Sequence, residues 1–345
     1  MRRAIVYLAY GLERICKETI VSIESLYRAD AHILDKDMLI VIYTDRINLF
    51  EDIRDKHPNI DIEYLSEQRV RDWLNGQDLL FNLKICALED SLKRFGALTL
   101  FVDGDTVFME SPEKLFEILL DPENLIFHYC ENTFGSKEKF MSENSGPSYP
   151  PGLREYAFLK DSLAAEKVMV GTKDIPISSD TRLWNAGVIG IHPQKISLLN
   201  DVKEICHSIY SSYNIGIAEQ YAFNLALGST GKIHSAESVI LHYWFLKELR
   251  LMYEAALFGD YSMGSQDNYK QIVVESMKRI VQQDSLEFSD VIQYVPGLVH
   301  LRWKKAIKFV EYNMRTPGVL RDLLFSEKSV SESNSLLESK GIQCE

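Results

Sequence analysis

Apolar β-prone runs that alternate with helical patterns constrain the fold of this chain more than any other feature. Residues 4–10 form one such run, closed by Gly11, and residues 38–43 and 97–102 form two more. Between them, residues 13–28 place Ile15, Ile20, Ile23, Leu26 and Tyr27 at helical spacing. Residues 79–95 do the same with Leu80, Leu83, Ala87, Leu88 and Leu92. Continuous apolar strands must be covered on both faces, and strands joined through helices run parallel, so the first half predicts a parallel sheet sandwiched by helices. Residues 60–65 alternate apolar and polar side chains and predict an edge strand.

The run at 97–102 ends in Asp103-Gly104-Asp105 and resumes at Thr106-Val107-Phe108. Two carboxylates are thereby placed at the carboxyl edge of a buried strand, where open α/β sheets bind ligands. On an extended chain residues two apart point to one side, which brings both acids to one hard cation, and Gly104 permits close backbone approach. Oxygen ligands favour magnesium, manganese or calcium over zinc.

The 345-residue chain carries a formal net charge of −12. That balance argues against general nucleic-acid binding, which needs clustered lysine and arginine. An acidic protein that takes an anionic substrate needs a local cation, which again points to a metal. Cys16, Cys86, Cys130, Cys206 and Cys344 have no close pairs and no zinc-type spacing. Cys16, Cys86 and Cys206 fall in helical apolar patterns and read as buried reduced thiols, so a reducing, cytoplasmic compartment is expected. The apolar stretch after Met1-Arg2-Arg3 is too short for a signal peptide, and no run is long enough to span a membrane.

Residues 131–180 break the rhythm with Pro147, Pro150 and Pro151 and many polar residues, and are expected to form an irregular insertion. Regular signals return with a strand over 184–191, helices over 196–213 and 218–226, and a short strand at 239–241. Residues 251–325 read as a helical region and 326–345 as a loose tail rich in Ser and Glu. Within 301–313, Arg302, Lys304, Lys305 and Lys308 lie beside Leu301, Trp303, Ile307, Phe309 and Val310. This basic amphipathic helix is read as a packed terminal helix or a peripheral membrane contact.

Several features align in chain order: a first strand ending at Tyr10-Gly11, the Asp103-Gly104-Asp105 turn, Asn185-Ala186-Gly187, Glu219-Gln220 with Asn224, and His242 followed by Lys247. Over residues 3–250 the chain resembles nucleotide-sugar-dependent glycosyltransferases of the GT-A fold. It is most similar to the retaining family 8, which includes glycogenin and bacterial lipopolysaccharide galactosyltransferases. The resemblance implies a Rossmann-like mixed sheet flanked by helices as a catalytic domain over 1–250, with 131–180 on the acceptor side. It implies a Mn2+ or Mg2+ ion held by Asp103, Asp105 and His242, with His234 as the competing histidine.

On the same basis Lys84, Asp103, Gly104, Ala186 and Gly187 match donor-binding positions, and Lys247 matches a diphosphate-binding lysine. Asn185, Glu219 and Gln220 match the segment beside the donor sugar, with Glu219 standing where the family has Asp. The family's glycine between histidine and lysine is absent. Tyr10 and Asp45, at the ends of two early strands, are candidate nucleobase contacts. The implied reaction moves a sugar from a nucleoside-diphosphate donor, UDP by resemblance, to a glycan or protein acceptor, with retention. A nucleotidyltransferase would carry a Gly-rich loop after the first strand, where only Gly11 stands, and an aspartyl phosphatase an Asp that is missing there. The alternative from another class is a catalytically silent nucleotide-sugar or glycan binder on the same fold.

Overall fold

The computed structural model describes residues 1–30, 32–33, 37–74, 80, 82–135, 153–170, 173–242 and 244. The first compact unit runs from Met1 to His242. The expected helical region 251–325, its 301–313 segment, the tail 326–345 and Lys247 lie outside the described residues.

The first half follows the alternation read from the sequence: β1 (Arg3–Ala9), α1 (Glu13–Ala29), β2 (Met38–Thr44), α2 (Glu51–Lys56), β3 (Ile60–Tyr64), α3 (Glu67–Leu74), α4 (Asn82–Phe95) and β4 (Leu98–Val102). Then come β5 (Thr106–Phe108), α5 (Glu113–Leu119), β6 (Asn124–Phe127), β7 (Cys130–Thr133), α6 (Leu153–Ala165), β8 (Lys167–Val170), β9 (Lys173–Pro176), β10 (Arg182–Trp184) and β11 (Val188–Ile191). The unit closes with α7 (Leu198–Tyr213), α8 (Ala218–Gly228), β12 (Lys232–Ser235) and β13 (Ile240–His242).

Seven strands make the central sheet in the order β12-β6-β11-β4-β1-β2-β3. The pairs among β1 to β4 are parallel, as is β6 with β12, whereas β11 runs antiparallel to both of its neighbours. The architecture is therefore the expected mixed α/β sheet, with β3 at one edge. Alternate residues of β1 feed opposite cores. Ala4 and Val6 pack with α4, α7 and α8, while Ile5 and Tyr7 pack with α1 and α5. Period-2 alternation in a strand buried on both sides produces this division. Cys16, Cys86 and Cys206 are buried free thiols, as expected, and Cys130 is exposed. Among the described residues no helix is long and apolar enough to cross a membrane.

Two expectations are corrected. The described parts of 131–180 are not irregular: they hold β7, α6 and the β8–β9 hairpin. The single strand expected over 184–191 is two strands of different sheets, because Asn185 Oδ1 accepts from the Gly187 backbone N–H at 2.8 Å and turns the chain between them.

Candidate active site

The sheet delivers its polar side chains to one edge. Asp103 follows the last residue of β4, and its N–H donates to Gly187 O at 2.8 Å, extending the β4–β11 ladder by one bond. Asp103 to Asp105 form a bend rather than the extended segment the spacing suggested. Asp103, Asp105 and His242 nevertheless converge, each with a ligand atom within 4.8 Å of the others. His242 arrives from β13, which pairs antiparallel with β5 outside the main sheet. His234 is not in this group: it sits on edge strand β12 with Nε2 3.1 Å from Asn124 Oδ1.

The hydrogen-bond pattern orients the histidine ring. Asn185 donates its Nδ2 to Glu131 Oε1 at 2.8 Å, so its Oδ1 is the atom that meets His242 Nδ1, also at 2.8 Å. An amide oxygen only accepts, hence Nδ1 carries a proton; Nε2 lies 3.0 Å from Asp105 Oδ1, also an acceptor, so this nitrogen either donates to the carboxylate or turns its lone pair to a cation that the two share. An outer partner that fixes one ring nitrogen and aims the other is the usual arrangement behind a metal-binding histidine. Gly187 makes the close packing possible, since a Cβ there would lie 2.1 Å from His242 Nδ1. The donor set, two carboxylates and an imidazole gathered around one point, fits a divalent cation such as Mn2+.

Lys84 comes from α4 and is only 6% exposed. Its ammonium lies 2.8 Å from Asp103 Oδ1 and 3.0 Å from Oδ2, and it donates to Ala186 O at 2.7 Å. A buried ammonium is tolerated because three oxygens replace its water, and the same contacts tie the Asp103 bend to the Asn185–Gly187 turn. Gly104 has a different role from the one the sequence suggested. A Cβ there would lie 2.7 Å from Thr19 Oγ1, so the glycine lets α1 pack against the bend.

Beside this charged group lies a neutral one. Gln220 donates Nε2 to Glu131 Oε2 at 2.9 Å and accepts from the Ala186 N–H at 3.2 Å. Asn224, one turn later, bonds the N–H and the carbonyl of Trp184, which pins β10 to α8. Glu219, in the first turn of α8, is 6% exposed, and its Oε2 has no hydrogen-bond partner among the described residues. Burial pushes its carboxyl up to about 7, while Lys84 pulls it down and Asp103 raises it further.

Sequence reasoning missed Glu131, which receives both amides. Its signal was of the same kind as that of Asp103: a polar residue soon after the apolar run Leu125-Ile126-Phe127. In the β7–β10 ribbon Leu183 pairs with Asn132 and Trp184 with Cys130, leaving Glu131 as the extra residue of a bulge. Such bulges re-aim side chains, here into the site. Tyr10 and Asp45 lie at the ends of β1 and β2 but are not among these groups. Asp45 Oδ1 accepts from the Gly11 N–H at 3.0 Å, and Arg46 donates to Gly11 O, so the two strand ends are tied together.

No protein-family profile matches the chain, and no curated protein matches it in sequence. Among solved structures it is similar to the bifunctional glycosyltransferase WbbM, at 13% identity and a TM-score of 0.45, over 68% of this chain and 39% of that one. It is also similar to the galactosyltransferase LgtC, at 14% identity and a TM-score of 0.40, over 68% of this chain and 73% of that one. A third is the glycosyltransferase GlyE of Streptococcus pneumoniae, at 14% identity and a TM-score of 0.44, over 74% of this chain and 60% of that one.

Proposed function

We propose that this chain is a metal-dependent glycosyltransferase of the GT-A fold, moving a sugar from a nucleoside-diphosphate donor, UDP by the family resemblance, to a glycan or protein acceptor with retention. The observation that carries the reading is the junction at Asn185. One side chain joins the Asp103, Asp105 and His242 cluster to the Glu131 and Gln220 pair, so a cation site and a set of oriented amides share one edge of the sheet.

Asp103, Asp105 and His242 would hold Mn2+ or Mg2+, which supplies Lewis-acid stabilisation of the diphosphate as charge grows on its departing oxygen. Lys84 neutralises Asp103 and holds Ala186 in place. Gln220 and Asn185 are oriented before substrate arrives, so no reorganisation is needed when charge develops on the sugar ring. Glu219 Oε2, which has no partner among the described residues, would accept a hydrogen bond from a sugar hydroxyl. Tyr10 and Asp45 take the nucleobase end, the backbone at Ala186 and Gly187 borders the donor, and Lys247 takes the diphosphate. The insertion over 131–180 forms the acceptor side, with cytoplasmic placement and a peripheral membrane contact through 301–313.

A calorimetric titration of nucleoside diphosphates and their sugars, with and without Mn2+, tests the reading. One nucleotide should bind only with the metal, and Asp105→Ala should weaken that binding by about 100-fold, as loss of a charged ligand does. Undiminished affinity in the variant removes the basis of the reading. Metal-dependent binding with neither donor hydrolysis nor transfer identifies the silent binder instead.

A further inference from the structure

The Asp103–Asp105 bend is held from behind by a line of hydroxyls that the catalytic reading does not use. Tyr7 Oη lies 3.0 Å from Ser22 Oγ, which lies 2.8 Å from Thr106 Oγ1, which donates to the Asp103 carbonyl at 2.7 Å. The last bond fixes the direction of the others. A carbonyl only accepts, so the Thr106 proton is spent on Asp103. Ser22 must then donate to Thr106, and Tyr7 to Ser22. Tyr7, Ser22 and Thr106 are all 0% exposed, so no water competes along the line.

We propose that Ser22 and Thr106 are positioning residues: the chain Tyr7 to Ser22 to Thr106 sets the shape of the Asp103–Asp105 bend and so the placement of all three candidate cation ligands. The inference rests on the cation reading only for its consequence, since the bend itself is held whether or not a metal binds. Three features make the coupling specific. Thr106 binds the carbonyl of one ligand residue and follows the second, Asp105, directly. In the β5–β13 ribbon its register partner is the third, His242. The helix that supplies Ser22 also packs Thr19 against Gly104, and its Ser25 accepts from the Phe108 N–H at 2.9 Å, so α1 grips the bend and β5 at three successive turns. Directional chains in a dry interior reinforce each link, and a missing link leaves the next group unsatisfied.

Amide exchange in cation-free protein and titration with Mn2+ alone test this in the wild type and in Thr106→Val, Ser22→Ala and Thr106→Ser. With Thr106→Val or Ser22→Ala, exchange at the Asp103 amide should quicken about tenfold while β2 is unchanged, and Mn2+ should bind about tenfold more weakly. Thr106→Ser keeps the hydroxyl and should match the wild type in both. Unchanged exchange at the bend in Thr106→Val and Ser22→Ala overturns the proposal, as does an equal acceleration in β2, which would make the hydroxyls general core support. If Thr106→Val does not fold, Ser22→Ala breaks the same line from the helix and decides. Should the wild type fail to bind Mn2+ while the bend responds as expected, the hydroxyl chain stands and the cation reading falls.

Discussion

The two halves of the site are built on opposite principles. Asp103, Asp105, Lys84 and His242 are charged or chargeable groups drawn from three parts of the fold, the bend after β4, α4 and β13, and they pair as Lys84 with Asp103 and His242 with Asp105. Asn185 and Gln220 are neutral amides with both ends bonded, held by the one carboxylate of Glu131. The charged half is set up to gain from an added cation; the neutral half is already satisfied and rigid. The contrast teaches that this edge of the sheet separates charge compensation from orientation, and that Asn185 is where the two meet.

The largest expected effect breaks the comparison by disturbing both halves together. In Gly187→Ala the new methyl would overlap the His242 ring and approach Asn185 Oδ1 at 2.8 Å. The loss of stability should be roughly 3 kcal/mol, the upper range for overpacking, measured by denaturant unfolding. Wild-type stability with wild-type cation affinity would show that the ring does not sit against Gly187.

A smaller effect sharpens the comparison through Glu219, whose carboxyl feels the charges of Lys84 and Asp103. Burial raises its carboxyl to about 7, so the folded protein holds this proton where the unfolded chain releases it. The contribution to stability is fully present below the ordinary glutamate range and is lost as pH rises through it to about 7. Glu219→Gln should therefore gain on the wild type by at most about 3 kcal/mol between about pH 4 and pH 8. Parallel stability profiles across that interval would mean that the carboxyl titrates normally.

The smallest effect isolates the neutral half. Glu131→Gln leaves one oxygen to accept from two amides, so Gln220 or Asn185 loses its anchor. Turnover should fall by about tenfold while Mn2+ affinity stays within about twofold, because no cation ligand is removed. Equal losses in both quantities would show that the halves act as one.

Much of this was legible in the sequence, for a physical reason that differs from element to element. β1, β2 and β4 are buried on both faces, so their apolar runs are continuous and end where the sheet ends; α1 and α4 cover them and carry the matching period. Asp103 and Asp105 stand out because a charged pair directly after such a run has to emerge at the sheet's edge, where ligands bind. β10 and β11 read as one strand because Trp184 to Ile191 is apolar at both ends, and a turn made by an Asn side chain leaves the hydrophobic pattern intact. The β8–β9 hairpin was missed because its strands are four residues each, with Lys173 and Asp174 exposed.

The sequence by itself determined the alternating α/β order, the burial of the three thiols and the candidacy of the two aspartates, since these depend on local pattern and on the general cost of exposing apolar surface. Only the tertiary structure decided which histidine joins the aspartates, that Glu131 receives two amides, and that hydroxyls of β1 and α1 line up behind the Thr106 hydroxyl that donates to the Asp103 carbonyl. Each of these is a contact between residues far apart in the chain. Its existence depends on strand order, on a one-residue bulge and on a glycine that admits a ring, and none of these leaves a periodic trace in the sequence.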